Sequence, residues 1–250
     1  MSKTSHSVLI AHKEWYAQDI FGLKVRFPRR ILFPGQFFQI QVSDCSDPFL
    51  NRPISIASYR RGLLHLIIRV VGRGTRIMSE KREGEELKLL GPFGKGMKLP
   101  RKKSLLIAGG IGVAPLMFVA QHLKQTRTPF SFLYGTGHAQ ELILKDEIRR
   151  MSDRSVFVAE YGMKKKMTVL QLLKSYDMDD HQCAYACGPS AMLIELQRMS
   201  LPMPVYAFCE DFLGCGCGLC LGCAIKYQGA YKRICEDGPV FELNGIDFNG

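Results

Sequence analysis

Ser104-Leu105-Leu106-Ile107-Ala108-Gly109-Gly110-Ile111-Gly112-Val113-Ala114-Pro115-Leu116 runs from an apolar strand through a glycine turn into a helix. The turn is G-x-G-x-x-P (Gly110, Gly112, Pro115), one residue short of the full dinucleotide fingerprint G-x-G-x-x-G. Its local logic holds all the same. Glycines let a diphosphate approach the helix N-terminus, and Pro115 suits the first helical turn. A plain tight strand–helix turn reads the same way. Further apolar strands follow about every 25 residues: Phe130 to Tyr134, Val156 to Ala159, Ala184 to Ala186 and Val205 to Ala207. Helical stretches such as Pro115 to Lys124 and Ser190 to Met199 separate them, so residues 101–207 are expected to form a parallel sheet with crossover helices.

Upstream the texture changes. Phe38, Ile40 and Val42 alternate with Gln39 and Gln41, and Leu64, Leu66, Ile68 and Val70 alternate with His65 and Arg69. Turns fall at Pro34-Gly35 and Gly91-Pro92, which suits a small antiparallel barrel over residues 1–100. Two segments there carry candidate chemistry. Arg52-Pro53-Ile54-Ser55 leads off one strand. Ile67-Ile68-Arg69 ends another, just before a turn holding Gly74 and Thr75. Arg52 and Arg69 are placed to meet a pyrophosphate, with Gly74 and Thr75 offering N–H groups at a helix start. On their own they read better as surface arginines and an ordinary turn.

Downstream, six of the nine cysteines crowd between Cys209 and Cys235. Cys215, Cys220 and Cys223 are spaced C-x4-C-x2-C, with Cys235 further on, the plant-type spacing for four thiolates on a [2Fe-2S] cluster. Gly214, Gly216, Gly218 and Gly222 allow tight turns and close N–H approach to sulfur. Two other readings stay open. Zinc shares the thiolate preference, although a second knuckle is absent. Cys217, Cys220 and Cys223 also read C-x2-C-x2-C, as in [4Fe-4S] ferredoxins, but the fourth position holds Tyr227. On the first reading Cys217 is a spare thiol facing outward, while Cys45, Cys183 and Cys209 pack as small apolar residues. The tail, residues 208–250, is expected to need its metal to fold.

Composition narrows the class. The 250 residues are 46% hydrophobic and 23% charged, which excludes disorder, collagen-like repeats and coiled coil. The apolar run Leu105 to Ala120 is too short and too glycine-broken for a membrane span. No signal-peptide core stands near the N-terminus, so a cytoplasmic location is expected. The formal charge of +11 comes from 34 Lys+Arg against 23 Asp+Glu, scattered in short groups. That favours phosphorylated small ligands over nucleic acid, for which only the high pI speaks.

Together, R-P-I-S in a barrel, G-G-I-G-V-A-P-L and Cys187-Gly188-Pro189 resemble the ferredoxin–NAD(P) reductase family. With the cysteine tail running on to Cys235-Glu236-Asp237-Gly238-Pro239, the chain closely resembles the electron-transfer subunits of class 1B dihydroorotate dehydrogenases. The resemblance implies an α+β multidomain protein: a β-barrel FAD domain, an α/β nucleotide domain and a small C-terminal [2Fe-2S] domain. It implies FAD at Arg52, Pro53, Ile54, Ser55, Ile67, Ile68, Arg69, Gly74 and Thr75. Nicotinamide nucleotide would lie near Gly110, Gly112, Cys187, Gly188 and Pro189, and the cluster on Cys215, Cys220, Cys223 and Cys235. It further implies a heterotetramer with an FMN-containing catalytic subunit that oxidises dihydroorotate in pyrimidine biosynthesis. Electrons would pass singly through the cluster to FAD and leave as hydride to NAD+, with no side chain needed as general acid or base.

At one point the chain departs from its relatives. Where many have T-D-D-G, it has Ala159-Glu160-Tyr161-Gly162, then Met163 and Lys164 to Lys166, which leaves NAD against NADP open. Two other assignments compete: a flavin/iron–sulfur module of a hydrogenase, sulfide dehydrogenase or ferredoxin:NADP oxidoreductase complex, and a zinc-dependent binding module without redox chemistry.

Overall fold

The computed structural model describes residues 4–43 and 47–248; Cys45 lies outside the described residues. The N-terminal strands are β1 (Thr4–Ala17), β2 (Ile20–Arg26), β3 (Phe37–Gln41), β4 (Arg52–Arg60), β5 (Leu63–Arg69) and β6 (Glu86–Phe93). They close into an antiparallel barrel of order β1-β2-β5-β4-β3-β6, with helix α1 (Arg73–Glu80) between β5 and β6. Closure removes the sheet edges that an open sheet of this size would expose. Phe21, Leu23, Phe38, Ile40, Leu64 and Leu66 fill its interior, as the alternation predicts.

The barrel departs from simple alternation on its outer face. His65 and Gln39, polar positions expected to face water, are both buried. Ile20, Ala57 and Ile67 belong to the core of the second domain, so that domain covers part of the outside of the barrel. His65 lies under Tyr16, whose hydroxyl meets its Nε2 at 3.2 Å. Burial first, then the charges of Lys24 and His12, lower the His65 pKa to about 4. A folded-state pKa below the unfolded one gives stability that is present above pH 6.5 and lost as pH falls through 4. The shift is worth about 3 kcal/mol on the usual conversion. Urea titrations from pH 7 to 3.5 should show the loss, and His65→Gln should remove that share of it.

The second domain alternates strands and helices: β7 (Ser104–Gly109), α2 (Val113–Gln125), β8 (Phe130–His138), α3 (Lys145–Met151), β9 (Arg154–Tyr161), α4 (Val169–Lys174), β10 (Cys183–Cys187), α5 (Ser190–Arg198) and β11 (Val205–Phe208). All five strands expected from the sequence are present, each of them longer. Beyond them the tail forms β12 (Ala224–Tyr227), β13 (Ala230–Arg233), α6 (Ile234–Asp237), β14 (Val240–Glu242) and β15 (Ile246–Asp247). β14 adds antiparallel to β11, giving the order β14-β11-β10-β7-β8-β9. The tail is thus stitched into the nucleotide sheet by backbone hydrogen bonds, while β13-β12-β15 forms its own small sheet. Strand order reverses between β7 and β10, and in such sheets the crevice at that point receives ligands.

Candidate functional site

A cavity of about 340 Å³ opens where the three regions meet. Arg52, Pro53, Ile54 and Ser55 at the start of β4 line it, with Ile67, Ile68 and Arg69 at the end of β5 and Thr75 in α1. Ile111, Ala114 and Pro115 contribute from the glycine turn, and Phe208 to Asp211 and Leu213 from the tail. The barrel geometry explains the convergence, since β4 and β5 are adjacent in the sheet and α1 follows β5 after a short turn. Gly74 is absent from the lining but packs under the Arg52 guanidinium, which a Cβ there would displace. Thr75 Oγ1 accepts from the Val71 and Gly72 N–H groups at 3.0 and 3.1 Å, fixing the turn.

Arg69 is the most informative cation. It pairs with Asp19 at 3.3 Å and with Glu141, from the turn after β8, at 3.0 Å. Its buried Nε and Nη2 nevertheless donate no well-directed hydrogen bond. A concave, largely apolar cavity with two arginines at its wall fits a flavin with its pyrophosphate.

Beside it the glycine turn meets the loop after β10. A Cβ on Gly112 would run into the Cys187 carbonyl, and one on Gly109 or Gly188 would strike Met192. Gly110 has φ +55°, a left-handed conformation that glycine adopts without strain. The structure thus brings Gly110, Gly112, Cys187, Gly188 and Pro189 together, as expected from the sequence. Gly188 and Pro189 also line a second cavity of about 350 Å³. Cys187 is fully buried, and burial raises its pKa well above the ordinary thiol range, so it packs rather than reacts.

In the tail the sulfurs fall into two pairs. Cys223 and Cys235 stand 3.3 Å apart. The Cys215 sulfur accepts N–H from Cys217 at 3.4 Å and from Cys220 at 3.3 Å, and the side chains of both approach it too. Gly218 N–H reaches Cys235 at 3.1 Å. Gly216 and Gly218 make this possible with φ of +68° and +83°. Burial pushes the Cys215 thiol up, but the N–H groups of Cys217 and Cys220 outweigh it and hold its pKa at about 6. Cys235 is pushed up to about 12, by burial first and then by its neighbour Cys223. Among the described residues, no three potential ligands converge on a single ion. Two thiolate pairs with N–H donors to sulfur suit a two-iron cluster better than one zinc ion.

Comparison with known proteins agrees. Residues 210–247 match the iron–sulfur cluster binding domain of dihydroorotate dehydrogenase B, and residues 106–198 match the oxidoreductase NAD-binding domain. The dihydroorotate dehydrogenase B (NAD(+)) electron transfer subunit of Desulforamulus reducens is 36% identical over 85% of this chain and 86% of its own length. The chain belongs to the family of dihydroorotate dehydrogenase B electron transfer subunits. The Bacillus caldolyticus member is 32% identical over 95% of this chain and 96% of its own length. Among solved structures, an NADH-dependent reduced ferredoxin-NADP oxidoreductase superposes with TM-score 0.87 at 24% identity, covering 97% of this chain and 90% of that one. A Neisseria gonorrhoeae ferredoxin NADP+ reductase with bound FAD and NADP gives 0.68 at 18% identity, covering 81% and 92%. The last two establish the fold alone. As a member of this family the chain is an oxidoreductase subunit, and its cofactors are FAD, a [2Fe-2S] cluster and NAD.

Within this electron transfer subunit, the structure also shows what the sequence reading passed over. Cys217 does not project outward; it is half-buried, packed against the core that includes Cys223 and Cys235. Cys183 and Cys209 are buried, as expected. Glu210 and Asp211 line both cavities. Glu210 keeps its side chain exposed to the cavity space, and desolvation by the surrounding walls raises its carboxyl pKa. No spacing rule marks these two, because only the register of β11 aims them at the cleft. Lys164 to Lys166 are exposed in the bend after β9, where His138 stacks on Tyr161 at 5.2 Å.

Proposed function

We propose that this chain carries electrons between a dihydroorotate-oxidising, FMN-containing catalytic subunit and NAD+. The assembly is a cytoplasmic heterotetramer in pyrimidine biosynthesis. The division of labour is residues 1–100 for FAD, 101–207 for the nicotinamide nucleotide and 208–250 for the cluster. When bound, the cluster supplies one-electron transfer, the flavin interconverts single electrons and hydride, and the nicotinamide accepts the hydride. Arg52 and Arg69 neutralise the flavin pyrophosphate, while Pro53, Ile54, Ser55, Ile67, Ile68, Gly74 and Thr75 shape its seat. Gly110, Gly112 and the Cys187-Gly188-Pro189 turn give the dinucleotide close backbone approach at the start of α2. Cys215, Cys220, Cys223 and Cys235 would hold the cluster.

One observation carries this reading: Cys209, Glu210, Asp211 and Leu213 line the flavin cavity, and the chain runs from them straight into Cys215. The test mixes the purified protein with a dihydroorotate dehydrogenase catalytic subunit and follows NADH. Dihydroorotate-dependent NADH is expected, and its absence would count against the assignment. No described helix is long and apolar enough to cross a membrane.

Phe212, Leu219 and Leu221 flank the cysteine loop and are 94, 83 and 64% exposed, which suits a surface completed by the catalytic subunit. Central apolar anchors of an interface are worth about 2 kcal/mol or more each. Phe212→Glu is therefore expected to weaken subunit association about 30-fold by calorimetry while leaving bound flavin and iron in place.

A further inference from the structure

In the cysteine tail the N–H groups of Cys217 and Cys220 serve Cys215 within one loop, and Cys223 meets Cys235 in the other sulfur pair. Gly218 joins the two. Its N–H reaches the Cys235 sulfur at 3.1 Å, and its carbonyl accepts from Arg233 Nη1 at 3.2 Å. Arg233 ends β13, next to Ile234, whose N–H binds the Cys223 carbonyl at 2.9 Å. The guanidinium is held in turn by two acids. Nη1 pairs with Glu236 at 3.1 Å, while the Arg233 backbone N–H and Nε donate to Asp237 at 2.7 and 3.5 Å. Gly218 has φ +83°, and a Cβ there would run into the Glu236 carboxylate, so this clamp closes only on a glycine. Arg233, Glu236 and Asp237 line neither the flavin cavity nor the one beside Gly188 and Pro189. Their hydrogen bonds serve the cysteine loop instead.

We propose that Arg233 is a positioning residue for the iron–sulfur group, gripping Gly218 so that its N–H stays on the Cys235 sulfur and the loop of Cys215 and Cys220 keeps its register with Cys223 and Cys235. This rests on the cluster site proposed above. Arg233 acts through Gly218 and needs no contact with sulfur. Its planar fork serves a carbonyl and two carboxylates in fixed directions, which the point charge of a lysine does not. An N–H on a ligand sulfur stabilises the extra negative charge of the reduced group. A slack Gly218 therefore lowers the potential at which that group takes an electron.

The test compares holoprotein of wild type, Arg233→Lys and Arg233→Met by EPR-monitored redox titration and by hydrogen–deuterium exchange of the 215–220 segment, with iron and FAD assayed on each. At the wild-type midpoint, the reduced-to-oxidised ratio of the cluster is expected to fall about tenfold in Arg233→Met, a shift of about 59 mV to the negative for a one-electron couple. Exchange of the segment should quicken about tenfold, the worth of one hydrogen bond to a charged group. Arg233→Lys keeps the charge but loses the fork, so its midpoint and exchange should move the same way, with FAD retained in both. Loss of iron alone from Arg233→Met would support the proposal, and Arg233→Lys then supplies the midpoint. Wild-type midpoint and exchange in both variants would overturn it, as would wild-type behaviour of Arg233→Lys alone, since charge without direction would then suffice. Joint loss of iron and FAD from both variants would overturn it too. A wild-type protein without an EPR signal would instead overturn the cluster assignment itself.

Discussion

Cys235→Ser is expected to abolish dihydroorotate-dependent NADH formation, by more than about 100-fold, while NADH still bleaches the bound flavin. Cys235 is buried 3.3 Å from Cys223 and accepts the Gly218 N–H. Replacing it breaks one of the two sulfur pairs, and changes even to outer-shell groups cost about 10- to 100-fold in metal sites. A ligand should therefore cost more. Cys217→Ser is the matched control. That side chain packs against the core that includes Cys223 and Cys235 and also approaches the Cys215 sulfur, to which its backbone N–H donates; serine keeps that N–H. Iron content and turnover should stay near wild type. Loss of iron from Cys217→Ser but not from Cys215→Ser would reassign the ligands.

Gly112→Ala is expected to lower unfolding stability by about 3 kcal/mol or more and to abolish NADH-driven flavin reduction. The added methyl would overlap the backbone of Cys187 and Gly188, which no rotamer change can relieve. Overpacking in a close-packed core commonly costs about 1–3 kcal/mol, and a backbone clash belongs at the upper end. To accommodate it, the turn after β7 must separate from the turn after β10, the two elements proposed to hold the nicotinamide nucleotide. Gly137→Ala is the control, since a Cβ there meets nothing within 4 Å. Urea denaturation and stopped-flow flavin absorbance measure the two effects.

The parts of this molecule that were legible in the sequence are those governed by local rules. Strand–turn–helix recurrence located β7 to β11 because each crossover repeats the same short pattern. The cysteine loop could be read because thiolate spacing and glycine freedom act within a few residues. What stayed hidden depends on distant packing. Gln39 and His65 looked like solvent positions of alternating strands, and only the covering of the barrel by other elements buries them. β14 is a three-residue strand with no periodicity to detect; its place is set by the open edge of β11. Arg69 was visible as a cation beside a turn, but its pairing with Asp19 and Glu141 joins residues far apart in the chain. Cys217 looked like a bystander directed at solvent, and the folding of the loop over the core turns it inward.

Protein produced with ample iron and riboflavin, purified without oxygen and reduced with NADH alone, gives the most direct test of paired irons beside a flavin. One FAD and two irons per chain, with the EPR signal of a reduced [2Fe-2S] centre appearing as the flavin is reduced, is the result expected here. Flavin bleaching by NADH with no paramagnetic centre, or a colourless chain holding zinc, would contradict it.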